Sequence, residues 1–203
     1  MNRLLSYRFT TDGWPAFFFA VIALLVFSLL WVDYKIGLLQ SLPKYHPTNA
    51  AGQFYSESAT HYRYYRMIAD PAVSWERIRS TLKLDRRIQH PEGVEVLREF
   101  PFGMELFYGV LHRWFAPRAE PHTFLLKAVQ YFSIVTLCAL FVLTCRLTGS
   151  PWWSLFAVVV YSTMTWSFMR STQISFFYED FAMPFLLGAV ACMLPRKRND
   201  VQR

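Results

Sequence analysis

Uncharged apolar runs alternate with amphipathic ones along this chain, and the alternation predicts both its membrane-spanning and its surface helices. Pro15–Val32 contains no charged residue and is about long enough to cross a bilayer. It is too long for a signal peptide, and it lacks a small-residue cleavage site. Its helix is expected to continue past Asp33 and Lys35 to Leu42. A second run, Thr123–Cys145, carries Lys127 near one end, where a lysine can snorkel to the interface. The third, Pro151–Met169, has Trp152, Trp153 and Trp166 near its ends, as interfacial anchors do. The fourth, Phe181–Leu194, is short for a span. Starting it upstream near Ser175 brings Glu179 and Asp180 inside the bilayer margin. The pattern predicts an all-α, multi-pass membrane protein with about four transmembrane helices.

Between the first two runs the pattern changes. Ser56 is placed to cap a helix that Asp70-Pro71 stops. A second short helix is expected from Ser74 to Leu84. "DRRIQHPEGVEVLREFP" reads as irregular, punctuated by Pro91, Gly93 and Pro101. Phe102–Phe115 then has Phe102, Leu106, Val110 and Trp114 at helical spacing, the mark of a helix lying in the membrane interface. Glu105 and Arg113 are expected to keep it from inserting deeply. The chain divides into a tail over 1–14, a first span over 15–42 and an external loop over 43–120. Spans two to four, with an acidic external loop at 170–180, occupy 121–195, and a basic tail follows over 196–203.

Composition agrees with a membrane class. The chain is 54% hydrophobic and 18% aromatic, with a formal net charge of +7. The excess sits largely in the tails, at Arg3 and Arg8 and at Arg196, Lys197, Arg198 and Arg203. This places both termini in the cytoplasm by the positive-inside rule and does not point to nucleic acid. The loops at 43–120 and 170–180 then both face outward. Cys138, Cys145 and Cys192 lie in apolar runs, with no zinc spacing and no disulfide framework.

Glu179 and Asp180 are the only acids between Pro121 and Pro195. Carboxylates at a bilayer margin are costly and usually have a task. With Glu57, at the start of its own helix, they offer oxygen ligands from two external loops. Such a set suits magnesium or manganese. The plainer alternatives are a solvated first-turn acid at Glu57 and an ion pair of Glu179 or Asp180 with Arg170 or Lys127. Arg63, Arg66 and Arg170 have the fork geometry for phosphate; surface charge is the plainer reading, and the better one for Arg66. His61 either positions a ligand or faces solvent.

"ESATHYR" resembles the first-loop motif of the catalytic subunit of oligosaccharyltransferase, a C-superfamily membrane glycosyltransferase. Glu57 stands where that family has a metal-binding Asp, and His61, Tyr62 and Arg63 follow in register. Asp85, Pro91 and Gly93 resemble its Asp…Pro-x-Gly segment. "RSTQISFFYED" is similar to its second loop: Glu179 falls on the Glu of an Asp-x-Glu pair, Phe177 occupies the Asp position, and Asp180 stands next to it. The family's acceptor-recognition motif and soluble domain are not found in the chain. The resemblance implies the N-terminal part of a glycosyltransferase, inactive as residues 1–203 alone and completed by a partner or downstream membrane segment. Its donor would be a polyprenyl-phosphate-linked sugar and its acceptor a protein asparagine. Glu57 and Glu179 would be catalytic, and with Asp180 would bind a divalent cation. His61, Arg63 and Arg170 would contact substrate. Alternatives are a transferase to a lipid or protein hydroxyl and a non-catalytic membrane subunit.

Overall fold

A computed structural model describes residues 13–43, 45–46, 54, 56–88, 92–164 and 178–194, with the side chains of Ser56, Glu57, Tyr178 and Glu179 outside the description. The described residues form helices, with no strand beyond one isolated bridge. The chain separates into two compact units, the division falling within two long helices and just after Phe181.

The first unit contains α1 (Gly13–Ser41) up to Gly37 and α6 (Pro121–Thr148) from Gln130. It also holds α7 (Pro151–Thr163) and α8 (Tyr178–Met193) from Ala182. Its core is Ala20 and Leu24 on α1, Leu137 and Phe141 on α6, and Val158 on α7. The outward faces are apolar too: Phe18, Phe19, Leu25, Leu29 and Leu30 are all exposed. A helix hydrophobic all round needs an apolar solvent. Among the described residues, α1 and α6 are long and apolar enough to cross a membrane. α7 and α8 are shorter, at 13 and 16 residues, so two candidate spans are found among the described residues where four were expected.

Local chemistry explains these ends. α1 runs unbroken through Asp33 and Lys35 because Lys35, buried, donates from Nζ to Ser133 Oγ at 3.0 Å. α7 stops short of Met169. Ser162 and Thr163 bond back to Val158 and Val159 carbonyls, which weakens a helix, and Met164 is already extended. The turn between α6 and α7 uses Gly149 at φ 71°, and Ser150 caps α7 by accepting from Trp153 N. Arg146 donates to the carbonyls of Ala191 and Leu194, satisfying the end of α8.

The second unit holds α2 (Ser56–Ala69), α3 (Trp75–Lys83), α4 (Val96–Glu99) and α5 (Gly103–Phe115), with the first turns of α6 and the start of α8. The expected boundaries hold, while the expected Ser56 cap lies outside the described side chains. α2 ends at Ala69, before Asp70-Pro71, and Asp70 Oδ1 accepts from Ala72 N in the turn that follows; Ser74 Oγ accepts from Arg77 N at the head of α3. Tyr64 and Ile68 of α2, Ile78 and Leu82 of α3 and Val96 of α4 form the core. α2 and α5 approach closely through Gly109, where a Cβ would lie 2.7 Å from Ile68 Cβ; any side chain there would force the helices apart.

The segment expected to be irregular is held by a bridge. Asp85 and Val94 exchange two backbone hydrogen bonds, at 2.9 and 3.1 Å, and Gly93 turns the chain at φ 81°. The largest departure concerns α5, whose charges do not restrain it from outside. Glu105 is fully buried against α2. Arg113 curls over the end of α2, donating to Val73 O at 3.1 Å and Pro71 O at 3.3 Å, with its guanidinium 4.7 Å from the Trp75 ring centroid. It also donates to Ile68 O at 3.4 Å, one of the orphan carbonyls at the end of α2.

Candidate functional site

α5 is the joint of the second unit. Ser58, His61, Tyr65 and Ile68 recur along the buried side of α2, spaced so that they line one face. His61 Nδ1 meets Glu105 Oε1 in a short, fully buried contact. Glu105 Oε2 is also buried, with no hydrogen-bond partner among the described residues. One turn along α5, Tyr108 takes the start of α8. The Phe181 ring packs on Phe107 and Tyr108, with centroids 5.4 and 5.9 Å apart. Burial, and then the Asp180 carboxylate, push the Tyr108 phenol above its ordinary pKa. Consecutive turns of α5 thus receive the first acid-bearing segment through Glu105 and the second through Tyr108.

A carboxylate clasp secures the other side of α2. Asp85 is buried and accepts from Arg63 at 2.6 Å, from the Tyr64 hydroxyl at 3.1 Å and from Arg87 N at 2.9 Å. Burial opposes its ionisation, but these donors prevail and hold its pKa below the ordinary carboxylate value.

The third anchor is His112. Its ring is stacked between Tyr65 and Phe124. Its Nε2 lies 3.1 Å from Ala119 O, and Nδ1 lies 2.9 Å from the Tyr65 hydroxyl. The single phenol hydrogen goes to Pro121 O at 2.9 Å, so a neutral ring, with one N–H, donates either from Nε2 to Ala119 O or from Nδ1 to the phenol oxygen. Burial lowers the His112 pKa, with the Ala119 and Ala116 carbonyls partly opposing. Because its folded pKa lies below its ordinary 6.5, the unfolded chain takes up the proton first as pH falls. Stability from this group is therefore complete above about pH 6.5 and is lost on acidification down to the folded pKa. Denaturation midpoints in detergent should fall between pH 7.5 and pH 5.5, by at most about 1.4 kcal/mol per pH unit, and His112→Gln should remove that slope. Asp85 gives way only at pH below its ordinary value of 3.8.

The sequence candidates distribute as follows. Glu57 lies in the first turn of α2 and Glu179 in the first turn of α8, and both side chains lie outside the description. Asp180 is half-buried beside Tyr108. His61 does not face solvent but is locked to Glu105. Arg63 is engaged by Asp85, and Arg66 is exposed. Arg170 lies outside the described residues. Glu57 and Glu179, 122 positions apart in sequence, fall in the same compact unit. Glu105, Tyr65 and His112 were not anticipated as functional. Glu105 and His112 do stand seven residues apart, hence on one face of a helix, opposite the apolar stripe. No group of three or more His, Cys, Asp or Glu side chains gathers as a metal site among the described residues.

Residues 51–200 match the family described as Dpy19: Q-cell neuroblast polarisation. The chain belongs to the Dpy19 family. The Dpy19 match takes in α2 through α8, and so covers both acid-bearing segments and the α5 joint between them. Searches of curated proteins and of solved structures found no match.

Proposed function

We propose that this protein is a membrane glycosyltransferase of the C-superfamily that transfers mannose from a polyprenyl-phosphate carrier to a carbon atom of an acceptor protein. The observation that carries the reading is the Dpy19 match, because Dpy19 proteins are C-mannosyltransferases of this superfamily type. It supports the donor class that the loop motifs imply and favours carbon over asparagine nitrogen as acceptor. The most electron-rich carbon framework among the side chains is indole, so tryptophan is the acceptor that the chemistry selects.

The step balances without a redox partner. The bond between the anomeric carbon and phosphate oxygen breaks, and the phosphate leaves with the electron pair. A bond forms from the anomeric carbon to the indole carbon, and that carbon's proton passes to a carboxylate base. We assign the base to Glu57, with Glu179 and Asp180 orienting the acceptor from the second segment. Arg170 is assigned to the departing phosphate, where a guanidinium stabilises developing charge. Arg63, engaged by Asp85, instead holds the Gly93 turn against α2. The asparagine reading rests on the resemblance of "ESATHYR", of Asp85, Pro91 and Gly93, and of "RSTQISFFYED".

The test supplies native membranes containing the protein with a polyprenyl-phosphate mannose and peptides bearing tryptophan or asparagine. The expected product is a hexose on tryptophan that survives acid and amidase treatment, as a carbon–carbon bond does. Hexose on asparagine alone would establish the alternative. Activity that persists in EDTA would remove the divalent cation while leaving the transfer reading intact.

A further inference from the structure

We infer that the outward face of α5 is a lipid-binding surface that rests in the headgroup layer at the α2–α5 end of the membrane span. α5 is built inside out. The face turned to α2 carries Glu105, Tyr108 and His112, all buried. The opposite face carries Gly103, Leu106 and Trp114, with no charged residue, while Val110 beside them packs against the Tyr64–Ile68 core and Phe107 is partly covered by Phe181. Leu106 is 44%, Trp114 70% and the adjoining Phe115 76% exposed. Covering one such side chain is worth about 1.5–3 kcal/mol, so a face of this kind does not stay in water.

Three observations select lipid as the occupant. First, α5 is fastened to the start of a spanning helix. Only Ala116–Glu120 separate them, Tyr65 donates to Pro121 O at 2.9 Å, and His112 stacks on Phe124 with centroids 4.5 Å apart. α6 has 28 residues, about 42 Å at 1.5 Å per residue. That matches a bilayer with its headgroups, about 40–45 Å, so the first turn of α6 lies at headgroup level. Second, the end of α5 nearest that turn carries Trp114 and Phe115, and rings of this kind favour the interface. Third, exposed Arg118 follows them and exposed Lys127 lies on α6, cations that complement lipid phosphates. The surface stands independently of the glycosyl-transfer reading. It would also hold the α2–α5 joint at the depth where a lipid-linked substrate presents its head.

The test uses the whole protein in phosphatidylcholine vesicles containing some anionic lipid. Cys138, Cys145 and Cys192 are replaced by alanine, and single spin labels are placed at Leu106→Cys, Trp114→Cys and, as control, Arg79→Cys on α3. Collisions with oxygen should exceed those with a water-soluble nickel chelate at 106 and 114, and the order should reverse at 79. Two results overturn the inference: nickel prevailing at 106 and 114, which means water, or both reagents excluded there, which means a second copy or another protein segment. Should the labelled variants not fold, the unsubstituted protein in diazirine-lipid vesicles decides. Carbene adducts on Leu106 and Trp114 are expected, and their absence alongside adducts on α6 would overturn the assignment.

Discussion

Glu57→Gln should lower the transfer rate by about 10²- to 10⁴-fold, the range that a positioned general base contributes. Forming a bond to an aromatic carbon leaves that carbon with a proton it must lose, and glutamine has the shape of glutamate without its basicity. The loss should appear in kcat with KM little changed, because an interaction made only in the transition state is removed. Protein level and thermal midpoint should hold, since Glu57 is at the first turn of α2. Glu57→Asp should restore part of the rate. Glu76→Gln, at an exposed first-turn acid of α3, should leave it unchanged. An unaltered rate in Glu57→Gln would remove Glu57 from the chemistry. A rate lost with a rising KM would make it a binding residue instead.

The largest stability effect should come from Glu105→Ala. Removing one member of a buried hydrogen-bonded pair strands the other, at a cost of about 1–3 kcal/mol and more where the pair is ionised. His61 is 1% exposed and has Glu105 Oε1 against its Nδ1, so no water replaces the lost acceptor. Hydrogen exchange should rise along α2 and α5 and stay slow in the α1–α6–α7 core. Glu105→Gln, which keeps the volume and one acceptor oxygen, should cost less. The double variant His61→Leu with Glu105→Leu should recover much of the loss, because apolar pairs of similar volume often replace buried ion pairs without penalty. A Glu105→Ala protein with unchanged denaturation and exchange would show that the pair does not fasten α2 to α5.

Local patterns in the sequence decided much of this fold. α2 and α3 fall where starts and stops were read, from Ser56 to the Asp70-Pro71 stop and from Ser74, because these signals act within one or two residues of the backbone they satisfy. α5 was legible from its apolar stripe, and the turn at Gly149 from its position between two apolar runs. α7 was drawn too long because hydropathy does not register the back-bonding of Ser162 and Thr163.

The candidate site was legible only as two acid-bearing segments. Glu179 and Asp180 stand out because carboxylates are rare beside membrane-grade sequence, and Glu57 through its place at a helix start and in "ESATHYR". What joins those segments was not readable. Glu105 was taken as an outside charge, since a lone glutamate on an amphipathic helix carries no sign of whether its partner is water or a histidine 44 positions away. His61 and Arg63, picked as substrate contacts, have protein partners in Glu105 and Asp85.

The sequence by itself determined where apolar helices form, where they are capped and which residue types are costly enough to matter, because those properties depend on neighbours within a few turns. Only the tertiary structure decided that α5 turns its polar side inward, meets His61 through Glu105 and Asp180 through Tyr108, and leaves its apolar side uncovered. The reason is physical. A buried charge is tolerated only where another element brings it a partner, and that partner is chosen by packing across the chain, not by spacing along it.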